Sequence, residues 1–410
     1  MKALPILFTM LVLTGFAVSS PPLVLRGRVG RGFPAPTPIR LSTTLQADPP
    51  PLSSPGVPGE EASVQTAGNV EEPVFSDAIA PRQWSFPGDH GRHDGFKIEW
   101  WYFTGNLTDP SGRPFGYQLT FFRSALTPRP IPRPSPWRTN DIYFAHAAIS
   151  DLANQHFYFK DRLSRGRIGL AHASAQTIDV SLLDWSAKLE GDAIHLNERE
   201  KEFSIDLTCT GGRGPILEGP GGVNKKGRGP DQASYYYSMT RLKTSGTLTI
   251  GSQTFRVTGQ TWMDHEFSSN ALAANQVGWD WMGLDLDDGR DLMIYRLRSS
   301  DGKSDFTSGT IIDPDSTPHY LTASQIRLSA ADPWHSPASG GDYPQRWHVN
   351  VAGLPPLIVQ SRMPGQELDT TDSTHIDYFE GSAEVLDSAG KAAGVGYLEM
   401  TGYGSALGGM

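Results

Sequence analysis

The stretch TWMDHEF (residues 261–267) sets three proton-carrying side chains side by side: Asp264, His265 and Glu266. In a strand, alternation puts Trp262, Asp264 and Glu266 on one face, with the carboxyls roughly 7 Å apart, and His265 on the other. An indole beside Asp264 would strip water from the carboxyl and raise its pKa. That is how a carboxylic acid stays protonated, and able to donate, near neutrality. Asp264 is the candidate general acid, with Glu266 orienting water or polarising His265. A plainer assignment of the same residues is an acidic strand end at a domain junction, hydrogen-bonded to backbone.

Aromatic density is the second chemical feature. In IEWWYF (98–103) Ile98, Trp100 and Tyr102 alternate with Glu99, Trp101 and Phe103, so both faces are aromatic and one carries a carboxylate. A sheet over a single core needs only one apolar face, so something large must cover the second face or bind to it. WDWMGLDL (279–286) puts Trp279, Trp281 and Asp285 on one face, and SYYYSMTRL (234–242) adds Tyr235, Tyr236 and Tyr237. Aromatic stripes commonly build cores and domain interfaces. At this density they also point to an apolar cavity, with Trp100, Tyr102, Tyr236, Trp262, Trp279 and Trp281 as its ligand contacts.

The loop DHGRHDGF (89–96) carries Asp89, His90, His93 and Asp94. Two loop histidines without a fixed third ligand are a weak metal signal, and polar capping of a barrel mouth explains them as well. No metal and no cofactor is expected. Several other chemistries are excluded. No serine sits in a G-x-S-x-G elbow, no phosphate loop is present, and GVGYLEM lacks the third glycine of a dinucleotide fingerprint. A net charge of −9 without a long Lys/Arg run argues against nucleic acid as a partner. The one cysteine, Cys209, rules out an intramolecular disulfide.

The elements that must hold these residues read as short strands. They include 98–107, 114–123, 203–210, 246–251, 254–262, 279–286, 291–298, 346–351 and 396–403, joined by turn signals in a chain with 44 Gly and 32 Pro. The Asp-to-Gly hairpins at 109–113 and 287–290 are alike, which suggests two related β domains split near residue 260. The expected fold is all-β: two antiparallel β-barrel domains, 81–260 and 261–410, after a disordered N-terminal segment. Residues 21–80 have the Pro/Gly/Ser-rich composition of a disordered linker, and none of the ten Trp precedes Trp84. Residues 1–20 read as a signal peptide, with export to the periplasm or beyond, although Arg26, Arg28 and Arg31 follow soon after and oppose translocation.

Four blocks carry a family resemblance: WSFPGDHGRHDGFKIEWWYFTGNL, TGQTWMDHEFSS, GWDWMGLDLDDGRDLMIYRLR and GYLEMTGY. Together, and in this order, they resemble the AttH/CrtC family of lipocalin-like proteins, from about residue 84 to the C-terminus. Its members include the carotenoid 1,2-hydratases and bacterial proteins labelled secreted hydrolases. The resemblance implies two calycin-type barrels and an apolar, often isoprenoid, small-molecule ligand. It also implies an aspartate, here Asp264, that protonates a terminal alkene so that water can add. The chain departs from the hydratases at Trp262 and Glu266, where they carry Tyr and Asn. The alternative is a non-enzymatic lipid carrier or accessory subunit serving a membrane partner protein.

Overall fold

Strand Ile98–Thr108 (β1) buries residues on both of its faces, and the architecture accounts for this. The computed structural model describes residues 74–404 apart from 130, 132–134, 271–272, 274, 303–304, 372 and 375. The leader at 1–20 and most of the 21–80 segment therefore lie outside the described residues. Among the described residues, no helix is long and apolar enough to cross a membrane.

The chain continues through β2 (Pro114–Ala125), β3 (Asp141–Asp151), β4 (His156–Arg165), β5 (Ala171–Ala173), β6 (Asp179–Leu182) and β7 (Trp185–Glu190). Next come β8 (Ala193–Arg199), β9 (Phe203–Thr210), β10 (Ile216–Leu217), β11 (Val223–Lys225), β12 (Ala233–Ile250) and β13 (Gln253–Ser268). These 13 strands form one antiparallel sheet in the order β4-β3-β2-β1-β13-β12-β9-β8-β7-β6-β5, with β10 and β11 paired to β12.

A second, ten-stranded sheet begins with β14 (Gln276–Leu286), β15 (Asp291–Ser299), β16 (Phe306–Ile312), β17 (Pro318–Leu321) and β18 (Ile326–His335). It is completed by β19 (Asp342–Val351), β20 (Leu357–Ser361), β21 (Glu367–Asp369), β22 (Asp377–Asp387) and β23 (Ala392–Thr401). Its order is β17-β16-β15-β14-β23-β22-β20-β19-β18, with β21 paired to β22. Both sheets curl into barrel or half-barrel shapes, as the all-β expectation requires.

Four apolar cores form among the described residues, three of them large. Trp101, Phe103, Tyr117, Phe121, Trp185 and Tyr237 help fill the inside of the first sheet. Met282, Ile294, Tyr343, Trp347, Phe379 and Leu398 do the same in the second. The third core joins Tyr102, Tyr236 and Trp262 of the first sheet to Trp281, Met293, Tyr295 and Tyr397 of the second. Strands β1 and β13 are apolar on both faces because one face looks into the first core and the other meets the second sheet.

Two boundaries differ from the sequence expectation. The ordered part starts before Trp84: Ala78 is buried beside Val223, Ala233, Tyr235 and Phe267, and Tyr235 Oη donates to Ala80 O at 2.6 Å. A small residue and a free carbonyl suffice to dock an extended segment there, and composition does not register them. Nor does the first sheet end at 260. Strand β13 runs on to Ser268, pairing Phe267 with Tyr235 on β12 and Ser268 with Ile98 on β1. The change of sheet falls at 269–275, so Trp262, Asp264 and Glu266 belong to the first sheet.

Candidate functional site between the two sheets

Register brings the chemistry together. On the outward face of the first sheet, Tyr102 pairs with Asp264, Trp100 with Glu266 and Thr104 with Trp262. On the other side of β13, Tyr236 pairs with Glu266 and Ser238 with Asp264. The second sheet lies against this face. Trp281 meets Tyr102 edge-on at 5.4 Å and Trp262 at 6.0 Å between ring centroids. Gly283 permits the approach, since a Cβ there would lie 2.6 Å from Trp281 Cη2 and 3.1 Å from Trp262 Cδ2.

All six residues expected to contact a ligand converge in this third core. Tyr102, Tyr236, Trp262 and Trp281 are buried in it, while Trp100 and Trp279 are half-buried and pack against it.

Asp264 is 3% exposed and accepts three side-chain hydrogen bonds. Trp262 Nε1 (2.7 Å) and Ser238 Oγ (2.6 Å) donate to Oδ1, and Tyr236 Oη donates to Oδ2 at 2.7 Å. Trp281 Nε1 in turn donates to Tyr236 Oη at 3.2 Å. Burial pushes the carboxyl up to about 7 against the pull of these donors, and Glu266 nearby adds to the rise. The partners are side chains, not the backbone of a capped strand end.

Other acids surround it. Glu218, fully buried, is raised to about 8 by burial, with Asp264 adding to the rise. Glu380 accepts from Tyr102 Oη at 2.8 Å and is held well above the usual carboxylate range by burial and by Glu399. Glu399 is itself lifted to about 8 by burial. Glu266 differs in having a cation: Lys226 Nζ sits 2.8 Å from Oε1 and over the rings of Tyr236 and Tyr295. Residue pattern alone points to none of Glu218, Lys226, Glu380 and Glu399. Ser238 carries a usable signal, since it stands two residues from Tyr236 on the same face. Glu218 carries none, because the pairing of β10 with β12 delivers it from a loop.

His265 lies apart from the two acids with which the sequence groups it. It faces the inside of the first sheet, stacked on Trp101 at 4.9 Å, so it joins neither Asp264 nor Glu266 and cannot be polarised by Glu266. Its Nε2 lies 3.0 Å from Glu99 Oε1 and its Nδ1 3.0 Å from Tyr237 Oη. The 89–96 loop closes over the same spot. His90 Nδ1 meets Tyr237 Oη at 2.7 Å, and His93 reaches Glu99 at 2.8 Å and Asp89 at 3.0 Å. His93, Glu99 and His265 are near enough to share a metal ion, but the donor set does not fit one. Arg123 already pairs with Glu99 at 3.0 Å. His93 touches a carboxylate through each ring nitrogen, which raises its pKa against the effect of burial and favours the cation over a neutral ligand.

A hollow of about 570 Å³ on the second sheet is lined by Arg290, Ile311, Asp313, His319 and Tyr320, none of which belongs to the central cluster. It contains no aromatic pair and no buried acid, and the central cluster has both.

The model of the AttH-like family matches residues 77–403. The chain belongs to the AttH-like family. A crystal structure from Nitrosomonas europaea assigned as an AttH is 32% identical, covering 80% of this chain and 100% of that one, with a TM-score of 0.73. Kievitone hydratase from Nectria haematococca shares the fold at 15% identity, with 82% and 98% covered and a TM-score of 0.61. CghA in complex with Sch210972 aligns at 12% identity over 82% and 98%, with a TM-score of 0.50. No curated protein sequence matches the chain. Family membership thus agrees with the lipocalin-like resemblance read from the four sequence blocks.

Proposed function

We propose that the protein binds an apolar, alkene-bearing small molecule, isoprenoid or lipid-like, between its two sheets and adds water to the double bond. The observation that carries this reading is Asp264: a buried acid with a pKa of about 7, walled by aromatic rings. Asp264 gives its proton to one alkene carbon, forming a C–H bond and leaving a cation on the other carbon. The faces of Tyr102, Trp262 and Trp281 stabilise that cation. Water attacks it, and the surplus proton returns to the Asp264 carboxylate. Glu266, paired with Lys226 and opposite the half-buried Trp100 in the β1–β13 register, orients the incoming water. The fold likeness to a protein named as a hydratase supports the reaction class.

The test is incubation with long-chain terminal alkenes in ¹⁸O-labelled water. Labelled alcohol is expected from the wild type and none from Asp264→Asn. Tight binding without labelled product would replace the enzyme by a carrier that hands its ligand to a membrane partner. The leader-like residues 1–20 support export, which cell fractionation checks.

A further inference from the structure

Ser238 Oγ lies 2.6 Å from Asp264 Oδ1 and 3.0 Å from Glu218 Oε1. A hydroxyl has one hydrogen, so it can donate to only one of these carboxyls. The other contact is a hydrogen bond only if that carboxyl carries a proton of its own. The remaining partners say which one does. Asp264 already accepts from Trp262 and Tyr236, the environment of a carboxylate. Glu218 accepts a single further bond, from Thr310 Oγ1 to Oε2 at 2.5 Å, which leaves Oε1 to bear hydrogen. Ser238, Glu218 and Thr310 are all buried, so bulk water does not compete for these bonds.

We infer that Glu218 stores the proton that Asp264 delivers, and that the Ser238 hydroxyl passes it between them. This rests on the hydration reading above. In the resting arrangement Glu218 Oε1–H donates to Ser238 Oγ, and Ser238 Oγ–H donates to Asp264 Oδ1. Moving both hydrogens one step loads Asp264 and leaves Glu218 a carboxylate that accepts from Ser238 and Thr310. Asp264 then protonates the alkene. After water captures the cation, the surplus proton returns to Asp264 and the chain runs backwards, restoring Glu218–H. The net change is one water added, with no external acid consumed. Burial sets the two groups in the same order, Glu218 at about 8 and Asp264 at about 7. The charged or titratable groups facing Glu218 are Asp264 from β13, Lys226 from the segment after β11, Tyr236 from β12, Tyr295 from β15 and Tyr320 from β17.

Glu218 acts through Asp264 and is a positioning residue. Glu218→Gln keeps the shape and can still donate to Ser238, but has no proton to give. It should melt with the wild type and quench tryptophan fluorescence equally on ligand binding. Hydration should slow at least about tenfold, and the pH–rate profile should change shape. Ser238→Ala should do the same and Ser238→Thr should restore the rate. A measurement without turnover stands beside these: infrared titration of the wild type against Glu218→Gln. It should reveal a protonated Glu218 carboxyl at pH 7. A Glu218 that is ionised at pH 7, or a Glu218→Gln enzyme with wild-type rate and profile, overturns the relay and leaves hydration by Asp264 standing. Absence of hydration by the wild type overturns the hydration reading itself, and with it the delivery step.

Discussion

Glu99 and Asp264 are two carboxyls on neighbouring strands, β1 and β13, both almost fully buried, yet their pKa values are shifted in opposite directions. Glu99 points into the first sheet, where Arg123 sits 3.0 Å away and His93 and His265 also reach it. Burial alone would raise its pKa, but the Arg123 guanidinium and the two imidazoles outweigh burial and hold it well below the usual carboxylate range. Asp264 points between the sheets, and its neighbours are neutral donors and another acid, Glu266. Hydrogen bonds without a cation are not enough, and burial wins. A buried acid is therefore structural or chemical according to the charge of what faces it, not according to depth.

The largest effect is expected at Arg123. Arg123→Met leaves Glu99 in the core without its guanidinium partner and should cost about 3–5 kcal/mol of stability. Chemical denaturation would measure this, and a loss under about 1 kcal/mol would mean that Glu99 is not held as a carboxylate. Asp264→Asn should do the opposite. Its fold should stay within about 1 kcal/mol of the wild type, because Tyr236 can accept from the new amide, while hydration falls at least about 100-fold. An early melt with unchanged binding would make Asp264 structural too.

Trp281 and Trp100 sharpen the distinction within the third core. Trp281, buried against Tyr102 and Trp262, should cost about 3 kcal/mol or more when cut to Ala. Trp100, half-buried at the edge of that core, should weaken ligand binding roughly tenfold, about 1.4 kcal/mol, with little effect on the melt. Fluorescence titration beside thermal denaturation separates the two.

The smallest effect is on stability against pH. Asp264 is raised in the folded state, so its contribution is fully present below about pH 4 and fades as pH rises through about 7. Glu99 is depressed, so its contribution is present above about pH 4 and is lost as pH falls through its low folded pKa. Melting curves of Asp264→Asn should flatten the loss on the alkaline side, and those of Glu99→Gln the loss on the acid side. Identical pH profiles for both variants would remove the distinction between the two carboxyls.

Much of this is legible from residue order. Alternation in IEWWYF and TWMDHEF sorts Trp100, Tyr102, Trp262, Asp264 and Glu266 from Trp101 and His265, and each lies on the face that alternation assigns to it. Nine strands overlap the segments that alternation and turn residues mark, most within a few residues, although 246–251 is only the end of the 18-residue β12. Grouping His265 with the acids fails because adjacency in the chain is opposition in a pleat. The first sheet runs past 260, to Ser268, because a hairpin similarity marks turns and not the length of the strand between them.

The pleat's period of two is a local property of the backbone, so the sequence by itself determined which side chains share a face. Which face would look inward, and which would meet a second sheet, depended on segments more than a hundred residues apart, as when Tyr102 on β1 reaches Glu380 on β22. The field at Asp264 has the same origin. Ser238 arrives by strand pairing, Glu218 by the short β10 pairing and Trp281 from the other sheet. A pKa is the sum of what surrounds a group in space. Residues brought together from distant strands raise Asp264 towards neutrality and hold Glu99 low.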